Sequence, residues 1–339
     1  MARSFRSRKS LLWSLLLLLV LTLQLPTPCQ ADGIIIPAYF YPGTGGPGGV
    51  GNGWAAMATA AAQVPVVAIF NPNSGPAPGP ADPNYVTAMT NLESAGGKAV
   101  AYVYTGFGTT SLATVESQIS TYITQYGSSI DGFFIDGMLV DPSTQSYYQS
   151  LDSYIKGRSA SDLVIGNPGQ PFLNGVTPAN YLSTADIFSI FEGSDTAFSI
   201  YPSGQTWYQS YPSSRFSNFI YDVSGSSQMP ADLIRAESLN AGYVYVTDQN
   251  LPNPYDELPS YWNQEVSALA TPAAVPEPDS LSLLVLSGLV AIPLRAAKST
   301  RRFRPTGGRS RRQARNDLAA PFLFSYLGGS APRPLSSGL

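Results

Sequence analysis

The sequence predicts an α/β protein folded as a single (β/α)8 TIM-like barrel. Three observations predict it: eight short β-branched or aromatic runs, helical spacing between them, and a middle region of about 240 residues, the size of one such barrel.

In chain order the runs are 33–41, 64–70, 98–104, 132–136, 163–166, 187–191, 216–223 and 242–247. A short piece near Trp54 fills the first connection, and the Pro/Gly-rich stretch 71–83 reads as a rigid, irregular loop before a helix over 85–95. The third connection, a helix over 113–126, groups Leu112, Val115, Ile119, Tyr122 and Ile123 on one face. Segments 143–156 and 230–240 serve the fourth and seventh connections, and shorter pieces near Pro178 and Gln205 the fifth and sixth. Strand alternating with helix argues for a parallel sheet, and eight units argue for closure. The alternative, a doubly wound open sheet, lacks its phosphate loop: Ile36-Pro37-Ala38-Tyr39 stands where GxGxxG belongs.

The ends differ from this middle. Residues 1–31 comprise a basic start (Arg3, Arg6, Arg8, Lys9), an apolar run over 11–23 and a polar stretch ending Pro28-Cys29-Gln30-Ala31. Those three zones make a signal peptide, with signal peptidase expected to cut after Ala31. A lipid anchor on Cys29 is disfavoured, because Pro28 stands where that processing wants a small residue. Near the other end Pro276-Glu277-Pro278 precedes an apolar run over 281–294 and then Arg295, Lys298, Arg301, Arg302 and Arg304. The run is short for a span, and the basic cluster would stay on the cytoplasmic side. A simple C-terminal anchor helix is one reading. The pattern resembles a PEP-CTERM sorting signal, which implies that residues 272–304 are processed by an exosortase. Residues 305–339 continue as a basic tail, expected to be disordered. The expected location is outside the inner membrane, secreted or at the cell surface or matrix, with membrane contact only through the sorting segment.

Cys29 is the only cysteine and there is no histidine. The domain over 32–271 therefore excludes disulfides, thiolate metal sites, Ser-His-Asp and Cys-His nucleophile systems and the common zinc sites. Carboxylates remain as acid–base equipment, and no metal or organic cofactor is called for. This domain carries 5 basic against 19 acidic side chains, a formal net charge of −14. It offers no basic footprint for nucleic acid, and a neutral or cationic ligand fits better.

In a (β/α)8 barrel the chemistry sits at the C-terminal strand ends. In strand order those ends carry Tyr39 and Tyr41, Asn71, Tyr104 and Thr105, Asp136, Asn167, Glu192, Asp222 and Asp248. Carboxylates, amides and tyrosines on one face suit a sugar-binding cleft, although strand ends are polar by default and Asp often caps helices. Asp136 after Phe133-Phe134-Ile135 and Glu192 after Ile190-Phe191 each close an apolar run with a charge, where desolvation tunes a carboxyl group. Glycoside hydrolysis needs two carboxyl groups across the scissile bond, and these two are predicted to meet across the barrel mouth. Asp222 and Asp248 are equally consistent with structural roles. Tyr39, Tyr41, Tyr104, Phe107 and Trp262 suit stacking on sugar faces, as they also suit core packing.

Several of these stretches are familiar together. Gly33-Ile34-Ile35-Ile36-Pro37-Ala38-Tyr39, Asn71-Pro72-Asn73-Ser74-Gly75-Pro76, Tyr102-Val103-Tyr104-Thr105-Gly106-Phe107-Gly108, Gly132-Phe133-Phe134-Ile135-Asp136, Asn167-Pro168-Gly169, Phe191-Glu192-Gly193 and Asn253-Pro254-Tyr255-Asp256 resemble, in order, the spherulation-specific (spherulin-4-like) family. Members of known activity are (β/α)8 glycoside hydrolases that cut α-1,4-linked galactosamine-containing polysaccharide. The resemblance therefore implies an endo-α-1,4-galactosaminidase-like enzyme acting on an amino-sugar exopolysaccharide, with Asp136 as nucleophile or charge stabiliser and Glu192 as general acid/base. Around them, by their place at the strand ends, Tyr39, Tyr41, Asn71, Tyr104, Asn167, Asp222 and Asp248 are the expected substrate-binding residues. The family motif at the fourth strand is usually Asp-Glu, whereas this chain has Asp136-Gly137. That departure supports the alternative, a non-catalytic surface or matrix protein that binds polysaccharide through a degenerate site.

Overall fold

The computed structural model describes residues 31–170, 178–201 and 206–270. Eight parallel strands, β1 (Ile34–Ala38), β2 (Val66–Phe70), β3 (Lys98–Tyr104), β4 (Gly132–Asp136), β5 (Leu163–Gly166), β6 (Ile187–Ser194), β7 (Phe216–Tyr221) and β8 (Tyr243–Val246), form one sheet in sequence order. The ring joins at the parallel bridge Gly33↔Tyr243, where the Asp32 and Gly33 N–H groups both donate to the Gly242 carbonyl. A helix follows each strand: α1 (Gly53–Ala61), α2 (Pro83–Ser94), α3 (Leu112–Tyr126), α4 (Gln145–Arg158), α5 (Pro178–Tyr181), α6 (Asp195–Ser199), α7 (Met229–Ser238) and α8 (Trp262–Ala270). This is the predicted (β/α)8 barrel. The expected signal segment apart from Ala31, and the sorting segment and tail over 272–339, lie outside the described residues. No described helix is long and apolar enough to cross a membrane.

The chain folds this way because its strands are apolar on both faces. β1 and β2 are buried along their whole length, as a parallel strand between a helix layer and a filled barrel must be. Tyr102, Phe134 and Phe219 fill the interior, with ring centroids 6.2 and 6.1 Å apart. Outside, α3 starts where the Ser111 hydroxyl accepts the Thr114 N–H at 3.2 Å, and it buries Val115, Ile119, Tyr122 and Tyr126 against the strands. Burying an apolar side chain of this size stabilises the fold by roughly 1.5–3 kcal/mol. At the N-terminal face, carboxylates serve the framework. Asp131 accepts the Ala99 N–H at 2.8 Å and faces Lys98 at 3.8 Å, and Asp186 accepts the Val164 N–H at 2.8 Å and pairs with Lys156 at 2.6 Å.

Strand β1 ends at Ala38 rather than Tyr41, because the Tyr39 N–H turns away from β2 to the carbonyls of Pro37 and Tyr255. Helix α8, absent from the expected elements, packs on β8 and carries a fully buried carboxyl group. Glu265 is 0 % exposed; its Oε1 accepts the Val246 N–H at 2.8 Å, and its Oε2 has no partner. Burial first, and then the charge of Asp248, push the Glu265 carboxyl well above its usual 4.5, while the Val246 N–H opposes the shift. Tyr245 and Tyr261 also lie within electrostatic reach of it. The folded chain thus holds this proton more tightly than the unfolded chain, so stability falls as pH rises from about 4.5 toward the raised value. Glu265→Gln keeps an acceptor for Val246 and cannot ionise. Urea unfolding at pH 4, 6 and 8 should show the variant losing less stability toward pH 8 than the natural chain; parallel pH profiles would remove Glu265 as the source.

Candidate active site

Asp136 ends β4 and Glu192 lies in β6, and both carboxylates reach the same mouth, at the C-terminal ends of the strands. One side chain joins them. The Asn167 amide, just past β5, donates to Asp136 Oδ1 at 2.9 Å and to Glu192 Oε2 at 2.7 Å. The two N–H bonds of a planar amide spread by about 120°, so linear hydrogen bonds of these lengths correspond to carboxylate oxygens roughly 5 Å apart. Tyr102 donates to Asp136 Oδ2 at 2.6 Å, and Tyr255 to Glu192 Oε1 at 2.9 Å. Tyr39 packs edge-on against both tyrosines, with centroids 5.8 and 5.6 Å away.

The inward aim of Glu192 depends on one extra residue. Ser189 pairs with Ser217 and Phe191 with Asn218, so Ile190 is a bulge in β6. The Ser189 and Ser217 hydroxyls bond inside the barrel at 2.9 Å, and simple alternation from Ser189 would send Phe191 inward and Glu192 outward. The bulge reverses that parity. Phe191 packs outward against Phe198 and Tyr201, at 4.8 and 5.0 Å, and Glu192 falls beside Tyr255. The loop after β5 completes the support: the Gly169 N–H donates to Ser189 and the Glu192 N–H to Gly169, both at 3.1 Å.

Neutral donors hold this pair; among the described residues no Lys or Arg pairs with either carboxylate. Burial first, then the charge of Asp136, raise the Glu192 carboxyl to about 6, against the hydrogen bonds from Asn167 and Tyr255. Burial also raises Asp136, but three donors, Tyr102, the Gly137 N–H and Asn167, favour its ionised form. The charge of Asp136 thus helps Glu192 keep its proton up to about 6, while Asp136 has one more donor favouring its charged form than Glu192 has. Burial keeps the hydroxyls of Tyr39, Tyr102 and Tyr255 protonated, so all three are available as donors.

Tyr104 stands opposite Asp136 in the β3–β4 register and is 42 % exposed. Its ring lies over Gly137, which is left-handed at φ 60°; a Cβ there would sit 2.4 Å from Tyr104 Cε2 and 2.9 Å from Cδ2. Phe107, 45 % exposed, meets the Tyr104 ring edge-on at 6.2 Å. Gly106, Phe107 and Gly108 are left-handed in succession, at φ 58°, 59° and 81°, a conformation that costs a non-glycine residue about 1–2 kcal/mol.

The remaining expected residues take other places. Asn71 Oδ1 accepts the Gly75 N–H at 3.1 Å and shapes the loop after β2. The Tyr41 hydroxyl bonds Asp82 at 2.9 Å and Asn84 at 2.6 Å, at the head of α2. Asp222, left-handed at φ 59°, is held by its N–H on the Gln249 carbonyl at 2.8 Å. Asp248 accepts both the N–H of Ser260, at 3.0 Å, and its hydroxyl. Trp262 is 1 % exposed inside α8, so it is a core residue and not a sugar platform. Sequence reasoning gave no role to Tyr102 and Tyr255. Tyr102 shares a strand face with Tyr104 by the two-residue period, a usable signal, whereas Tyr255 arrives from a loop that no periodicity describes.

Residues 33–269 match the family model described as spherulation-specific family 4. Spherulin-4 of Physarum polycephalum is 32% identical over 252 residues, covering 72% of this chain and 71% of its own. The crystal structure of Aspergillus clavatus Sph3 in complex with GalNAc superposes with a TM-score of 0.58 at 23% identity, over 71% of this chain and 98% of that one, and shows the same fold.

Proposed function

We propose, from the premise that this chain belongs to spherulation-specific family 4, that it is an exported glycoside hydrolase acting on a galactosamine-containing exopolysaccharide. The observation that carries the reading is the single Asn167 amide donating to both Asp136 and Glu192. Ideal amide geometry gives a carboxyl group raised to about 6 and a second carboxyl group whose bonded oxygens are roughly 5 Å apart, close to the spacing of glycosidases that retain configuration. In such a reaction Glu192 gives its proton to the glycosidic oxygen as the C–O bond breaks. Asp136 attacks C1 and forms a glycosyl ester. Glu192, now ionised, takes a proton from water, which attacks C1 and releases Asp136. The amino-sugar substrate is supported by the family and by the GalNAc bound to Sph3, and a domain of net charge −14 suits a polymer bearing free amines. Export by signal peptidase and sorting by an exosortase remain part of this reading, from residues 1–31 and 272–304.

The second reading, a polysaccharide-binding matrix protein without turnover, has one observation behind it: Gly137 stands where the family usually has Glu. Incubating the purified protein with partly deacetylated galactosaminogalactan separates the two. Reducing ends with retained configuration, read by NMR of the first products, are expected. Retention of polymer without new reducing ends would establish the binding protein instead. Binding should also weaken as salt is raised and as the polymer is re-acetylated, because exposed charges are screened over about 8 Å at physiological ionic strength.

A further inference from the structure

We propose that Tyr104 and Phe107 form a sugar-stacking wall beside the carboxylates, and that Gly137 is bare so that the Tyr104 ring can lie there. The inference rests on the polysaccharide reading above and names the side chains that hold the sugar unit next to Asp136. Two exposed rings at the mouth of an otherwise polar cleft do not contribute to the core. Phe107 is the more telling of them. A bulky residue at φ 59° is unusual, and here it sits between two left-handed glycines, fixed by its N–H on the Gly137 carbonyl at 2.7 Å and by the Gly108 and Thr110 N–H groups on Thr105 at 3.1 and 3.0 Å. The backbone is held in a strained form to present a ring that stays 45 % exposed, so burial does not account for it. Strain kept at a mouth is the mark of a functional contact.

Gly137 supplies the second half of the argument. Any side chain there would enter the space of three consecutive Tyr104 ring atoms, within 2.4 to 3.2 Å, so the ring and a Glu at 137 exclude each other. One side of Tyr104 packs on the Gly137 backbone, which leaves its exposed surface free to meet a ligand. With Phe107 standing at 81° to it, the two rings make a corner that fits the apolar C–H face of a pyranose. Tyr104 is one strand position from Asp136, so a sugar in that corner lies alongside the reacting carboxylates.

The test uses fragments of partly deacetylated galactosaminogalactan, with affinity measured by calorimetry and turnover by reducing ends. Phe107→Gly accepts φ 59° without strain. It should weaken fragment binding about tenfold, mainly through KM, while its Tm stays level with or a few degrees above that of the natural chain. Gly137→Ala should lose a similar factor, and should add little to the loss in a Tyr104→Ala background, since both changes remove the same ring from its place. A lowered Tm with unchanged affinity for Phe107→Gly, or additive losses in the cycle, overturns the wall. If the natural chain neither binds nor cleaves the fragments, the polysaccharide reading itself fails, and the wall with it.

Discussion

Glu192→Gln is expected to lower polymer cleavage by about 10²–10⁴-fold near pH 5, the usual contribution of a positioned acid–base group, and to leave most fragment binding in place. Gln keeps the shape and one acceptor for Asn167 or Tyr255, but it has no proton to give to the leaving oxygen. Asp136→Asn should cost at least as much, because it removes the nucleophile and the negative charge that Tyr102, Gly137 and Asn167 are arranged to hold. The rate–pH profile of the natural chain carries the same assignment. Activity needs Glu192 protonated and Asp136 ionised, so the profile is a bell whose alkaline limb falls near 6, where Glu192 gives up its proton. Initial rates from pH 3 to 8 check it. A limb displaced to pH 9, or cleavage that survives Glu192→Gln, removes Glu192 from the acid role.

Asn167→Ala should lower kcat by about 10²-fold with little change in KM, and should move the alkaline limb upward. The direction follows from which protonation state the amide favours. Both of its N–H bonds point at carboxylate oxygens and stabilise the charged forms, so removing them raises both groups. The two carboxyls then face each other with Tyr102 and Tyr255 alone as side-chain donors, and the last proton leaves at higher pH. An upward displacement would identify Asn167 as a positioning residue, since simple misfolding would not give it. A kcat loss with the limb unmoved would reduce Asn167 to packing.

The barrel was legible in the sequence because parallel strands buried on both faces read as apolar runs, and a helix follows each of them. Asp136 was legible for the same reason: it ends such a run at the expected face. Glu192 closes an apolar run in the same way, and the structure brings it to the mouth beside Asp136, but its aim is not readable from the sequence. Its run continues to Ser194, and only the extra residue Ile190 turns the carboxylate inward. Bulges leave no mark in a hydrophobic pattern. Tyr255 and Glu265 were missed because they act from beyond β8, one from a loop and one from α8, and their partners at Glu192 and Val246 are distant in the sequence. Asp248 illustrates the converse: a polar strand end whose bonds to Ser260 hold the chain leading into α8.

The joint between β1 and β8 has a consequence for the order in which the molecule comes together. Every other strand pairs with its neighbour in sequence, so the ribbon from β1 to β7 can zip up progressively as the chain emerges. The Gly33↔Tyr243 bridge joins residues about 210 positions apart and must be among the last contacts made. Tyr255 lies beyond that point, and it supplies a donor to Glu192 as well as the carbonyl that anchors the Tyr39 N–H. A chain lacking the final segment has neither the Tyr255 donor to Glu192 nor the Tyr255 carbonyl that accepts the Tyr39 N–H. The hydrogen-bond set around the two carboxyl groups is therefore complete only once the ring has closed.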